Sequence, residues 1–448
     1  MSVYIVTVGA AIGLVYTLSP LLVLSLFAVA VMFRAIASTG DPVERRWLLA
    51  MAAAAVSLRF VAIAALFLST DHDVTPFGTF FGDEDYFIKR SIWLRNTAVG
   101  IPISPADMRY AFDPLIDTSY VWILAALQIL VGPSPYGVHL VGSVVYVGAA
   151  VLLYRAIRSV FGVPAALIGL GLLLFLPSLF IWSLSALKDP LFLALVAVVL
   201  ALAIVMLRAS GLRRRIAAGA AIAGAVMIAE SIRSGGLVLL LGGLLGGFAM
   251  AAAWRRPRLA GLALAALMVT VPIALASSEV RDRIVVAMHR AAEAHWWHVN
   301  ATGNSYLLLD DSFYAKRVTI PSLSIGDSAR YIFNAIVAYV VVPLPMHVQS
   351  RMARAFVPEQ IVWLAIVALS AVGVFAGMKR GAAVTLLLLA STLAFALPVA
   401  LTSGNVGTLV RHRGVALIAL AWLAGLGVVS AVAWVGRRST IIGSDGLE

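Results

Sequence analysis

Long apolar runs dominate the chain, and polar residues are gathered at the joints between them. An α-helix needs roughly 17 to 25 apolar residues to cross the hydrocarbon core of a bilayer. By that measure there are about eleven spans, near 4–33, 48–70, 136–155, 163–183, 190–207, 216–232, 236–254, 259–277, 359–377, 382–402 and 414–436. The predicted fold is therefore an all-α, polytopic transmembrane helical bundle, with 1–448 forming one integral membrane domain. The first span is overlong and contains Ser19-Pro20, which predicts tilting, kinking or splitting. Spans 216–232 and 236–254 meet at Ser234-Gly235-Gly236, a tight-turn sequence.

The joints carry the orientation. Arg34, Arg45, Arg46, Arg155, Arg158, Arg208, Arg213 to Arg215, Arg255, Arg256, Arg258, Lys379, Arg380, Arg437 and Arg438 all follow odd-numbered spans. They share one side if the helices alternate, and the positive-inside rule makes that side cytoplasmic. The N-terminus is then outside and the C-terminus inside. Two long segments, 71–135 and 278–358, fall on the outer face, where long loops are exempt from the charge rule. Each holds an apolar stretch that alternation leaves no room for, Tyr120 to Val131 and Tyr331 to Met346. Both read as helices lying in the outer interface or re-entering partway.

Composition agrees with the pattern and narrows the chemistry. Of 448 residues, 62% are hydrophobic and 12% charged, against about 25% charged in soluble domains. The mean hydropathy is +1.00. The absence of cysteine excludes disulfides, thiolate metal sites and cysteine nucleophiles. The net charge of +12 belongs to arginines at cytoplasmic helix ends, with no basic-aromatic surface for nucleic acid. The N-terminal apolar stretch is too long for a cleavable signal and lacks a basic flank.

Candidate chemistry lies on the outer side. Asp83, Glu84 and Asp85 stand together among aromatics in Phe80-Phe81-Gly82-Asp83-Glu84-Asp85-Tyr86-Phe87. Adjacent like charges resist joint ionisation, which suits a general base or a divalent cation held by Asp83 and Asp85. A solvated acidic turn is the plainer reading. Ser185-Ala186-Leu187-Lys188-Asp189-Pro190 opens another span, where Asp189 suits an N-cap or a functional acid. Arg233, Arg411 and Arg413 are outer-face cations against the topology bias, suited to a lipid phosphate or to anionic headgroups. In His295-Trp296-Trp297-His298, two histidines share a helical face and either begin a metal site or, with the tryptophans, mark the interface. Arg59, inside a span, should face the bundle interior, with an acid as a suitable partner.

The order of these motifs resembles the GT-C superfamily of membrane glycosyltransferases, which includes protein O-mannosyltransferases and lipid A aminoarabinose transferases. The resemblance covers about residues 75–205. It rests on Gly82-Asp83-Glu84-Asp85-Tyr86, Leu130-Val131-Gly132-Pro133-Ser134, Leu153-Tyr154-Arg155-Ala156-Ile157-Arg158, Phe161-Gly162, Pro177 and Leu187-Lys188-Asp189-Pro190. A late loop with Asn405, Gly407, Arg411 and Arg413 adds to it. The resemblance implies a helical bundle with interfacial outer helices over a lipid-accessible cavity. It implies that Asp83 corresponds to the first-loop catalytic aspartate and Asp189 to the second acidic position.

The function expected is transfer of a sugar from a polyprenyl-phosphate donor to an extracytoplasmic glycan, lipid or protein, in a bacterial inner (plasma) membrane. Asp83 would take the acceptor proton, with Glu84 and Asp85 orienting it or holding a cation. Lys188, Arg233, Arg411 or Arg413 would hold the leaving phosphate. The rivals are a transporter or flippase of lipid-linked saccharides, whose related halves with broken helices are not evident, and a polymerase or ligase using the 278–358 loop.

Overall fold

The computed structural model describes residues 19–75, 81–113, 118–133, 136–301, 303–314, 323–344 and 354–444, with Gly9 and Val348 as single positions. Among the described residues, regular structure is helical apart from one isolated bridge between Ser305 and Asn405. Among the described residues eight helices are long and apolar enough to cross a membrane, or nine when one bent pair counts as a span. The chain divides into two compact units, Met1–Ala156 with Leu170–Leu237, and Ile157–Gly169 with Val238–Glu448.

The first unit is built from α1 (Pro20–Ala37), α2 (Pro42–Ser69), α3 (Gly82–Ala98), α4 (Pro105–Ala111), α5 (Ser119–Val131) and most of α6 (Gly137–Phe161). It continues through the end of α7 (Val163–Phe175) into α8 (Pro177–Ser183), α9 (Asp189–Arg208) and α10 (Leu212–Ile232). Pro20 and Pro42 start their helices, where a missing N–H costs nothing. Asp41 caps α2 by accepting from the Val43 N–H at 3.0 Å. The expected first span thus resolves as a helix beginning at Pro20, while residues 1–18 other than Gly9 lie outside the described ones. Only 28% of the apolar window of α2 is buried within the protein. So much bare hydrocarbon side chain is stable only in a bilayer.

Within the span 163–183 the chain bends by 59° between α7 and α8, at Pro177. Proline removes a backbone donor and breaks the ladder. Arg59 fills the gap, donating to the Leu174 carbonyl at 3.0 Å, the Ser183 hydroxyl at 2.9 Å and the Ala55 carbonyl at 3.1 Å. Its guanidinium lies over Phe180 and Tyr146. The interior position expected for Arg59 holds. The acidic partner does not: its hydrogen bonds go to neutral oxygens, because a broken helix supplies carbonyl acceptors without a second buried charge.

The second unit contains α11 (Gly236–Arg255), α12 (Pro257–Ala276), α13 (Ser278–Val299), α14 (Asp311–Tyr314), α15 (Ile325–Val341), α16 (Val357–Thr402) and α17 (Val406–Ser444). Spans 359–377 and 382–402 are the two arms of α16, which kinks at Gly381, where the backbone is non-helical. At about 1.5 Å per residue this helix has length for two crossings of a core about 30 Å thick. The Tyr120 to Val131 stretch lies on α5, whose 13 residues are too few to cross. The 331–346 stretch follows α15 to Val341, and Pro345 and Met346 lie outside the described residues.

Candidate active site

The acidic motif begins α3. Consecutive helical residues point about 100° apart, and here they separate completely. Asp83 is exposed on the first turn, whereas Glu84 is fully buried. Asp85 is half-exposed and pairs with Lys89 one turn on, at 2.6 Å. Among the described residues no three histidine or acidic side chains come together as a metal site.

Glu84 reaches across to the second motif. Its Oε1 accepts from the Ala186 N–H at 2.6 Å, and its Oε2 accepts from the Phe81 N–H and from His139 Nε2, both at 3.2 Å. On the other side of the same residue, the Tyr120 hydroxyl donates to the Ala186 carbonyl at 2.6 Å. Burial, and then the charges of Glu84 and Asp189, push the Tyr120 hydroxyl well up, so it stays protonated and remains a donor. The two acidic stretches therefore meet, within the first unit.

Asp189 lies in the first turn of α9 and is 5% exposed. The N-cap position belongs to Lys188, which makes no side-chain cap. The Asp189 carboxylate faces Arg233 instead, at 3.6 Å. The Arg233 guanidinium also lies over Phe192. Arg233 ends α10, just before the turn at Gly235, whose φ of 86° is one that glycine accepts. The Lys188 ammonium lies 5.9 Å from the Phe87 ring centroid, which ties it to the face of α3. Tyr86 turns from the carboxylates to Arg90, which donates to its hydroxyl at 2.8 Å and to the carbonyls of Ala111 and Asp113.

The late loop belongs to the second unit. Arg411 is half-buried near the start of α17. Arg413 is 4% exposed, and its terminal nitrogens donate to Gln360, to Tyr339 and, at 2.6 Å, to the Val342 carbonyl. It braces the end of α15, whose last carbonyls lack helical partners. His295 and His298 do share one face of α13. They donate from Nδ1 to the Ser403 and Thr402 carbonyls at 2.6 and 2.7 Å, at the end of α16. These bonds make both histidines partners of the end of α16.

Burial pushes His295 down from 6.5 to about 4, partly opposed by its bond to Ser403. A histidine held neutral in this way stabilises the fold fully above pH 6.5, and the stabilisation is lost as the pH falls toward 4. The expected loss is up to about 3 kcal/mol. The thermal midpoint of the detergent-solubilised protein should fall through this window, with a shallower slope in His295→Gln.

His139 and Tyr120 were not among the residues that the sequence pointed to. The available signal was an ionisable residue on the first turn of an apolar helix, a costly placement unless paired.

Taken together, the described helices define an all-α, polytopic membrane protein whose fold is similar to that of a solved membrane protein. One solved structure that matches is ArnT from Cupriavidus metallidurans bound to undecaprenyl phosphate, with a TM-score of 0.51 and 16% sequence identity over 85% of this chain. The chain spans 60% of the length of that protein. No family model matches the chain, and no curated protein matches it.

Proposed function

We propose that this protein is a glycosyltransferase of GT-C type that moves a sugar from a polyprenyl-phosphate donor to a hydroxyl acceptor on the extracytoplasmic side. The observation that carries this reading is the hydrogen bond from the Ala186 N–H to Glu84 at 2.6 Å, which joins the Asp83 motif to the Lys188-Asp189 motif. The fold likeness to a protein bound to undecaprenyl phosphate supports the choice of donor.

The reaction is a direct displacement. The acceptor oxygen forms a bond to the anomeric carbon as the bond from that carbon to the phosphate oxygen breaks. Exposed Asp83 takes the acceptor proton. The pair of electrons leaves with polyprenyl phosphate, whose growing charge Lys188 and Arg233 stabilise. Such a leaving group is already a stable anion and needs no general acid. Asp189 holds Arg233 in place for this task. The acceptor class is a glycan, lipid or protein, the membrane is a bacterial inner membrane, and the site faces outward with the C-terminus inside.

The test is incubation of the purified protein in liposomes with radiolabelled polyprenyl-phosphate sugars and envelope-derived acceptors. Transfer of label with release of polyprenyl phosphate is expected. Arg233→Ala should raise the donor KM or lower kcat by about tenfold or more, as loss of a charge-stabilising donor does. Movement of intact donor across the membrane without cleavage would favour the flippase class instead.

A further inference from the structure

We infer that Glu84, Tyr120 and His139 form a three-helix clamp on the peptide groups of Ala186, and that Glu84 is a positioning residue, not a proton acceptor. The clamp itself stands on geometry. Its kinetic consequence rests on the transferase reading above.

Residues 184–188 are non-helical and, apart from half-buried Lys188, buried. Backbone groups in such a stretch find no partners in a helical ladder, and each one left unmade is costly. Ala186 has both of its polar groups served by side chains from other helices. Glu84 of α3 takes the N–H at 2.6 Å, and Tyr120 of α5 serves the C=O at 2.6 Å. A third helix, α6, supplies His139, fully buried and 3.2 Å from Glu84 Oε2. A carboxylate only accepts, so His139 carries its proton on Nε2 and donates. Glu84 is thus surrounded by three N–H donors, those of Phe81, Ala186 and His139. It is fully buried, with no face left for an acceptor hydroxyl.

What the clamp fixes is the register of the next residues. Lys188 follows Ala186 by two positions and lies over Phe87, and Asp189 follows by three and faces Arg233. Phe87 packs edge-on against Tyr120, closing the loop of contacts. The exposed Asp83 is the chain neighbour of Glu84. A shift of Ala186 relative to α3 would therefore change the spacing between the proton acceptor and the phosphate-binding cation together.

The chain contains no cysteine, so a spin-label pair can be placed at will. Lys89→Cys on α3 and Ile181→Cys on α8 are exposed positions outside the proposed machinery. A single narrow distance distribution is expected in the otherwise native protein. It should broaden in Glu84→Gln, Tyr120→Phe and His139→Ala, and narrow again in His139→Gln, which restores an N–H donor. Tyr120→Phe removes one hydroxyl and keeps the ring, so it guards against misfolding as the cause. In the transfer assay the three disrupting variants should lose about 10- to 100-fold in kcat, in keeping with small misplacements of reacting groups. The donor KM should move less, and the acid limb of the pH–rate profile should be retained. Unchanged distance distributions would overturn the clamp. Loss of the acid limb in Glu84→Gln, or broadening with unchanged kcat, would overturn the positioning role. If the native protein transfers no sugar, the distance arm still decides the clamp, and the proposed reaction fails separately.

Discussion

Replacing Asp83 by Asn is expected to lower kcat for sugar transfer by about 10²- to 10⁴-fold, the usual contribution of a positioned general base. The argument is one of access. Of three neighbouring carboxylates, Glu84 is enclosed by N–H donors and Asp85 is engaged by Lys89 at 2.6 Å. Asp83 is the most exposed of the three, and it sits on the first turn of α3, next to a residue bonded to the Lys188-Asp189 segment. Asn keeps the shape and removes the basicity, so donor KM should change little. Asp85→Asn is the control, since an exposed ion pair contributes little. A radiolabelled donor assay across several acceptors checks both variants, and a native rate in Asp83→Asn would remove this residue from the role.

The second large effect is structural. A Cβ on Gly373 would lie 1.8 Å from the Leu423 carbonyl oxygen, and one on Gly427 would lie 1.9 Å from the Leu369 oxygen. The two sites are reciprocal: each glycine meets the other's helix, α16 against α17. The obstructing atoms are backbone, which cannot swing aside. Small residues let membrane helices approach this closely, and packing between such helices is what holds them together. Gly373→Val or Gly427→Val should therefore force the helices apart, costing at least the 1–3 kcal/mol, roughly, of an overpacked core. The expected result is loss of monodisperse protein in mild detergent, or a lower thermal midpoint. Gly148→Ala, with nothing within 4 Å of the added carbon, should be neutral or slightly stabilising. Equal behaviour of Gly427→Val and Gly148→Ala would mean that α16 and α17 do not pack as described.

Helix positions were legible from the apolar runs because a bilayer demands a minimum length of uninterrupted hydrocarbon. α9 and α10 fall close to where the runs place them. The turn at Ser234-Gly235-Gly236 was legible from its glycines, whereas the 59° bend at Pro177 falls inside what reads as one span, 163–183. The joint read at Lys379-Arg380-Gly381 coincides with the kink in α16, where the Gly381 backbone is non-helical.

The candidate site divides in the same way. The residue types at 83–85 and 188–189 were visible as charges that an apolar chain would not carry without cause. Which carboxylate faces outward was not visible. Neighbours along the chain are alike in composition and differ only in which way a helix turns them. Arg413 shows the same limit from the other side. The sequence marks it as a cation suited to a phosphate, and only the fold shows that its terminal nitrogens bond the end of α15 and Gln360.

The sequence by itself determined the solvent, the helical class and the approximate helix positions, because these follow from local hydrophobicity and chain length. Only the tertiary structure decided the partners: His139 and Tyr120 with Glu84 and Ala186, neutral oxygens with Arg59, backbone carbonyls with the two histidines of α13. The physical reason is that a buried polar group must be satisfied by whatever the fold brings within about 3 Å, and residues separated by up to 124 positions, as Arg59 and Ser183 are, meet only once the helices have packed.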